Sequence, residues 1–274
     1  MSPARPAPLA SLPGAAARAV RGVLTDIDDT LTRDGAIEPE ALGALADLRA
    51  AGLPVIAVTG RPMGWSEEFA RDWPVDAIIA ENGAVALFRD AERLHVEYAQ
   101  DEATRRANAA RLAAAARRVL RDVPGTRLAA DSAGRVTDIA VDHSEYAHLS
   151  PVQTAQVVAA MRAEGMHATV SSIHVNGWYG DHDKLSGARW IVRRLYGRDL
   201  EPEAAHWAYV GDSTNDQLMF GHFPLSVGVA NLMRFAAELT TWPAYLAVGE
   251  RGAGFAEIAR ILIEARRDRP RAVK

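Results

Sequence analysis

The 274-residue chain contains no cysteine, which excludes disulfides, thiolate metal centres, iron–sulfur clusters and cysteine nucleophiles together. This absence fits a cytoplasmic protein, and that is the expected location. The chain also lacks a basic excess: its formal net charge of −4 argues against a non-specific nucleic-acid binder. It has no run of about 18 uncharged apolar residues, so no membrane-spanning helix is expected. Residues Met1 to Ala19 are rich in Ala and Pro and lack the compact apolar segment of a targeting peptide. They read as a loose arm. The apolar content of 49% and charged content of 24% describe an ordinary folded protein, long enough for one large domain or two modest ones.

What is present begins with an apolar approach, Val23-Leu24-Thr25, that ends in three carboxylates within four residues: Asp26, Asp28 and Asp29. Asp is disfavoured inside strands, and like charges this close repel, so a cation or a function has to justify them. A calcium loop of the EF-hand kind fails on its own pattern. Counting from Asp26, position 6 is Leu31 where Gly is needed and position 12 is Ile37 where Glu is needed. Mg²⁺ takes one or two protein carboxylates and keeps positions for water and phosphate, which makes phosphate chemistry the first hypothesis.

Strand and helix signals alternate from Val20. Residues 20–25, 54–59 and 77–80 read as apolar strands, with helices over 38–51 and 65–72 between them. That alternation implies an α/β fold with a doubly wound parallel sheet, whose ligands sit beyond the carboxyl ends of the strands. After Asn82-Gly83 the pattern changes to hairpins and helices: strands at 84–89, 93–99, 126–130, 135–142, 167–171 and 174–178, with helices at 102–121 and 151–164. From Lys184 the α/β pattern returns, with helices at 185–196, 232–239 and 254–267 and strands at 207–210, 224–229 and 245–248. The domain reading is therefore an arm at 1–19, a discontinuous core at 20–83 and 182–267, an inserted α+β domain at 84–181, and a charged tail at 268–274.

Three more pieces fall at strand ends or helix starts. Thr59-Gly60-Arg61 follows a buried strand, Asp183-Lys184 opens a helix, and Gly211-Asp212-Ser213-Thr214-Asn215-Asp216 follows a short strand. With Asp26, Asp28 and Thr30 they supply a carboxylate nucleophile, an acid/base, a hydroxyl and an ammonium for phosphate oxygens, and acids for Mg²⁺.

This ordered set resembles the haloacid-dehalogenase-like phosphatase superfamily, whose motifs run DxDxT, S/T, K and GDxxND. Here they read DIDDT at 26–30, Thr59, Lys184 and GDSTND at 211–216. The insertion and ENGA at 81–84 resemble the Cof-type and sucrose-phosphatase-like branch with its α+β cap. The resemblance implies that Asp26 attacks phosphorus and Asp28 serves as general acid and then base. It implies that Thr59 and Lys184 bind the phosphoryl oxygens, with Thr30 supporting the first loop. Mg²⁺ would be held by the Asp26 carboxylate, the Asp28 carbonyl and Asp212. Asp216 and Asn215 would assist, Asn215 also helping to hold Lys184 or phosphate. Gly60, Arg61 and Asn82 are candidates for substrate or phosphate binding, and His174 and Asn176 share one face of an inserted strand by period two, so both are substrate-contact candidates too. Asp29 departs from the superfamily, which often has Gly there, and has no assigned role.

The expected function is hydrolysis of a small phosphate monoester, a sugar phosphate or related metabolite, by a monomer or homodimer. A phosphomutase on the same scaffold and a phospho-acceptor regulatory domain are the alternatives. Receiver domains, however, carry their acceptor Asp on a later strand and are about half this length.

Overall fold

The computed structural model describes residues 5–91 and 93–267, and these divide into two compact units: 5–58, 73–77 and 188–267 in the first, 59–72, 78–91 and 93–187 in the second. The expected tail at 268–274 lies outside the described residues.

In the first unit, six strands lie side by side in the order Ala7–Pro8, Tyr245–Leu246, Leu225–Gly228, Trp207–Gly211, Gly22–Thr25, Val55–Val58, and every neighbouring pair is parallel. The strands Gly22–Thr25, Val55–Val58 and Trp207–Gly211 are buried along their whole length, as their unbroken apolar sequences require in a parallel sheet covered on both faces. The doubly wound α/β expectation holds. From Gly22–Thr25 the chain goes on to Val55–Val58 on one side, while Trp207–Gly211 fills the other. The carboxyl end of Gly22–Thr25 is therefore the switch point where such sheets open a crevice.

Helix Pro39–Ala50 starts with Pro in its first turn and stops at Gly52, whose φ of 69° is the left-handed terminus that glycine supplies. It buries Ala41, Ala44, Leu45 and Leu48 and packs on helix Arg251–Arg267, which buries Phe255, Ile258, Ala259 and Leu262. The expected loose arm is a correction. Ala7–Pro8 pairs with Tyr245–Leu246, residues Gly14–Ala19 form a short helix, and Leu9, Leu12 and Ala17 are buried. Helix Gly14–Ala19 packs on helix Arg251–Arg267, and Ala7–Pro8 forms the sheet edge, where a proline costs no ladder bond.

The second unit holds an antiparallel hairpin, Val85–Arg89 with Leu94–Tyr98, and a three-stranded antiparallel sheet in the order His167–Val170, His174–Trp178, Asp138–Asp142. Two capped helices belong to it. Asp101 accepts from the Thr104 N–H, and Ser150 and Gln153 form a reciprocal capping box at Pro151–Ala163. Their shared core includes Leu112, Val119, Val141, Val157, Met161 and Val175. The strand expected at 126–130 is reduced to one bridge between Leu128 and Val141, and its partner starts three residues late, at Asp138. The cause is local: the N–H groups of Val136 and Thr137 donate to the Glu81 carboxylate. The helix expected at 232–239 is a 3₁₀ segment, Ala230–Phe235.

Candidate active site

The parallel ladder carries Gly22–Thr25 and Trp207–Gly211 forward in step until the Asp26 N–H donates to the Val210 carbonyl at 2.8 Å. Asp26 and Asp212 thus emerge side by side at the switch point. The turn that follows closes on the Ile27 carbonyl, which accepts from the N–H groups of Thr30, Leu31 and Thr32 and from the Thr32 hydroxyl. Thr30 is fully buried, and its hydroxyl has no hydrogen-bond partner among the described residues. The second acidic loop turns back because Gly211 has no side chain: a Cβ there would lie 2.5 Å from Oδ2 of Asp216. That oxygen accepts from the N–H groups of Asp212 and Ser213, at 3.0 and 3.1 Å, while Oδ1 accepts from the Tyr209 hydroxyl. Burial, together with the nearby Asp216 and Asp26 charges, pushes the Tyr209 phenol well above its ordinary pKa, so it stays a donor.

Oxygens of Asp26, Asp212 and Asp216 lie within 4.8 Å of one another, and all three residues are buried. Asp28, two residues on, is 8% exposed. Tyr209, Asn231 and backbone N–H groups donate to Asp212 and Asp216. Three carboxylates this close form a donor set that a hard, oxygen-seeking divalent cation fits. Asn231 was not singled out in the sequence, yet its Nδ2 donates to Oδ2 of Asp212 at 3.1 Å and to the Asp29 carbonyl at 2.9 Å. Its place just past the strand Leu225–Gly228 was the available signal, since ligands gather at such ends. Asn215 accepts the Ser213 hydroxyl at 2.8 Å.

Thr59, Gly60, Arg61, Asn82, His174, Asn176 and Lys184 belong to the second unit. Thr59 is pinned by its N–H to the Ile79 carbonyl and by its own carbonyl, which accepts from Asn82, and its hydroxyl accepts the Arg61 N–H at 3.0 Å. Glu81 and Asn82 both have left-handed backbones, at φ 48° and 55°. The Glu81 carboxylate holds this bend by accepting from the N–H groups of Met63, Val136 and Thr137 and from the Thr137 hydroxyl. Burial and the Asp138 charge raise its pKa. Lys184 is the first residue of helix Lys184–Tyr196 and is 3% exposed. Asp183 and Ser186 cap that helix reciprocally, each N–H meeting the other's side chain.

The structure gathers three of the second unit's candidates into one charged network. Arg61 pairs with Asp131 at 3.2 Å and with Glu145 at 2.9 Å, and its guanidinium lies over Trp65. His174 bonds the other Glu145 oxygen at 2.8 Å, and these two partners hold the Glu145 carboxyl down at about 2 against the cost of burial. Asn176 donates to the Gly60 carbonyl at 3.2 Å and to Asp138 at 3.0 Å. Arg135 reaches the same Gly60 carbonyl at 2.9 Å and bridges Asp138 and Asp131. Arg135, Asp131 and Glu145 were not foreseen as site residues. Arg135 pairs locally with Asp131 and Asp138, but their links to Gly60 and Arg61 span 70 to 84 residues, so no local period marks them as one network.

A parallel α/β sheet with three acids gathered at its switch point is an arrangement that can hold a divalent cation. Residues 23–110 match the family model described as haloacid dehalogenase-like hydrolase. Among solved structures, a Thermoplasma acidophilum protein has a TM-score of 0.66 at 17% identity, over 90% of this chain and 99% of that one. A HAD/COF-like hydrolase from Plasmodium vivax gives 0.65 at 13% identity, over 92% and 99%. The sucrose-phosphatase from Synechocystis, solved with sucrose and phosphate, gives 0.62 at 17% identity, over 88% and 98%. No curated protein matches the chain. The resemblance read from the motifs is borne out by the haloacid dehalogenase-like match over residues 23–110, and the chain has the fold of Cof-type and sugar-phosphatase structures.

Proposed function

We propose that the chain is a Mg²⁺-dependent phosphatase acting on a small phosphate monoester, a sugar phosphate or related metabolite. The observation that carries this reading is the buried cluster of Asp26, Asp212 and Asp216 at the switch point of the sheet. The likeness in fold to a sucrose-phosphatase supports the substrate class. Residues 20–83 and 182–267 form the catalytic core in this reading, and residues 84–181 the cap that reads the leaving group.

Asp26, Asp212, Asp216 and the Asp28 carbonyl would hold Mg²⁺. When bound, the ion offsets negative charge on the phosphoryl group. A carboxylate oxygen of Asp26 forms a bond to phosphorus as the bond to the leaving oxygen breaks. Asp28, two residues on, gives that oxygen its proton, so the products are a free alcohol and an aspartyl-phosphate. Asp28 then takes a proton from water as the water oxygen attacks the same phosphorus. The bond to Asp26 breaks, and inorganic phosphate leaves. In this reading Thr59 and Lys184 bind the phosphoryl oxygens, and Gly60 and Asn215 are phosphate-binding residues.

Hydrolysis of an aryl phosphate tests the reading. Purified protein is expected to release phosphate only with Mg²⁺ present, and Asp26→Asn is expected to abolish release. Full activity in Asp26→Asn, or full activity in a chelator, overturns the assignment.

A further inference from the structure

Asp29 is the acid of the 26–30 cluster for which the proposed chemistry has no use. Its partner is Arg251, 222 residues later, at the start of the last helix: Arg251 Nε donates to Asp29 Oδ1 at 2.6 Å. The two side chains are 16% and 9% exposed. Both backbones are left-handed, with φ of 55° at Asp29 and 49° at Arg251. Such conformations disfavour residues with side chains and persist where the surroundings fix them.

Asn231 joins the pair to the acids. Its Oδ1 accepts the Arg251 N–H at 2.9 Å, and its Nδ2 donates both to the Asp29 carbonyl and to Oδ2 of Asp212. One buried amide therefore ties together the loop after the first core strand, the start of the last helix and a candidate metal-binding carboxylate. The ion pair draws the Asp29 turn and the helix start towards each other, and Asn231 is held between them. Arg251 also gives Asp29 a partner of opposite charge, which offsets the third acid of the cluster.

We propose that the Asp29–Arg251 ion pair, acting through Asn231, is a latch that orients Asp212 for the divalent cation. The three are positioning residues, and the proposal rests on Asp212 being a ligand of that cation. Partners of this kind, bonded to ligating carboxylates, commonly change metal affinity by about ten- to a hundredfold.

Mg²⁺ titrated calorimetrically into chelator-stripped protein, without substrate, is the test. Asp29→Asn, Arg251→Gln and the double variant are each expected to weaken Mg²⁺ binding by about tenfold, the double no more than either single. Asn231→Ser is expected to weaken it at least as much. A purely electrostatic influence gives another pattern: Asp29→Asn weakens binding, Arg251→Gln tightens it, and the double returns to wild type. That pattern, or unchanged binding in all four, overturns the latch. Should Arg251→Gln not fold, Arg251→Lys keeps the charge but loses the planar fork. Weakened binding there supports the latch, and unchanged binding overturns it. Asp212→Asn separates the two levels. If it binds Mg²⁺ like wild type, the metal-site reading fails; if it alone loses binding, only the latch fails.

Discussion

The Tyr209 hydroxyl donates to one oxygen of the Asp216 carboxylate, and the other oxygen accepts the N–H of Asp212. One buried side chain thus braces the backbone of the acid loop, and Tyr209 braces that side chain. Removing the hydroxyl leaves a buried carboxylate oxygen short of a donor. Tyr209→Phe is therefore expected to lower stability by about 1.5–3 kcal/mol, the range for hydrogen bonds to charged groups. Urea unfolding of the two proteins at neutral pH measures it. A difference below about 0.5 kcal/mol would mean that the bond carries no weight.

Gly211→Ala is a steric test of the same loop. The added Cβ would meet Oδ2 and Cγ of Asp216 at 2.5 and 2.6 Å. Asp216 is fully buried and bonded on both oxygens, so its side chain cannot swing aside without leaving its donors. Overpacking of this kind costs about 1–3 kcal/mol. Thermal unfolding is expected to show that loss, accompanied by weaker Mg²⁺ binding. Wild-type values on both counts would show that the loop has room to move.

Much of this site was legible in the sequence because its chemistry is local. DIDDT and GDSTND each follow an apolar strand, and a parallel sheet brings adjacent strand ends together. Lys184, one of two lysines in the chain, stands at a helix start next to its capping acid. Asn231 had only its place past a strand end to mark it, and Arg251 had no mark. Asn231 reaches Asp212 across 19 residues and Arg251 reaches Asp29 across 222, and nothing in VGVANL or GERGAG specifies those partners. The arm failed for a related reason. Alanine and proline promise little structure alone, but Leu9, Leu12 and Ala17 are buried once the sheet edge and the last helix are in place.

The second unit is expected to lose stability in acid in two stages. His182 is 8% exposed and stacks on Trp178, and burial lowers its pKa from 6.5 to about 4. Between those values the unfolded chain binds a proton that the fold does not, so stability falls as pH drops from about 6.5 to about 4. Glu145, lowered from 4.5 to about 2, adds stability that is full above about 4.5 and lost as pH falls towards 2. Each amounts to at most about 3 kcal/mol. Urea midpoints against pH are expected to flatten in the upper window for His182→Phe and in the lower for Glu145→Gln. Unchanged slopes would sink the assignment.

Asn176 ties the loop after Thr59 to the inserted sheet, since one amide nitrogen serves both the Gly60 carbonyl and the Asp138 carboxylate. Asn176 and Asp138 are 1% and 3% exposed. Asn176→Asp changes almost no volume but faces a buried carboxylate with another and removes the donor to Gly60. Arg135 pairs with Asp138 on its other side and can offset only part of the added charge. An uncompensated buried charge costs about 3–5 kcal/mol, and that loss is expected at pH 7 by urea unfolding. Near pH 4 and below, protonation of the new Asp restores a donor towards Asp138, so the difference from wild type is expected to shrink. A pH-independent difference would point to packing instead of charge.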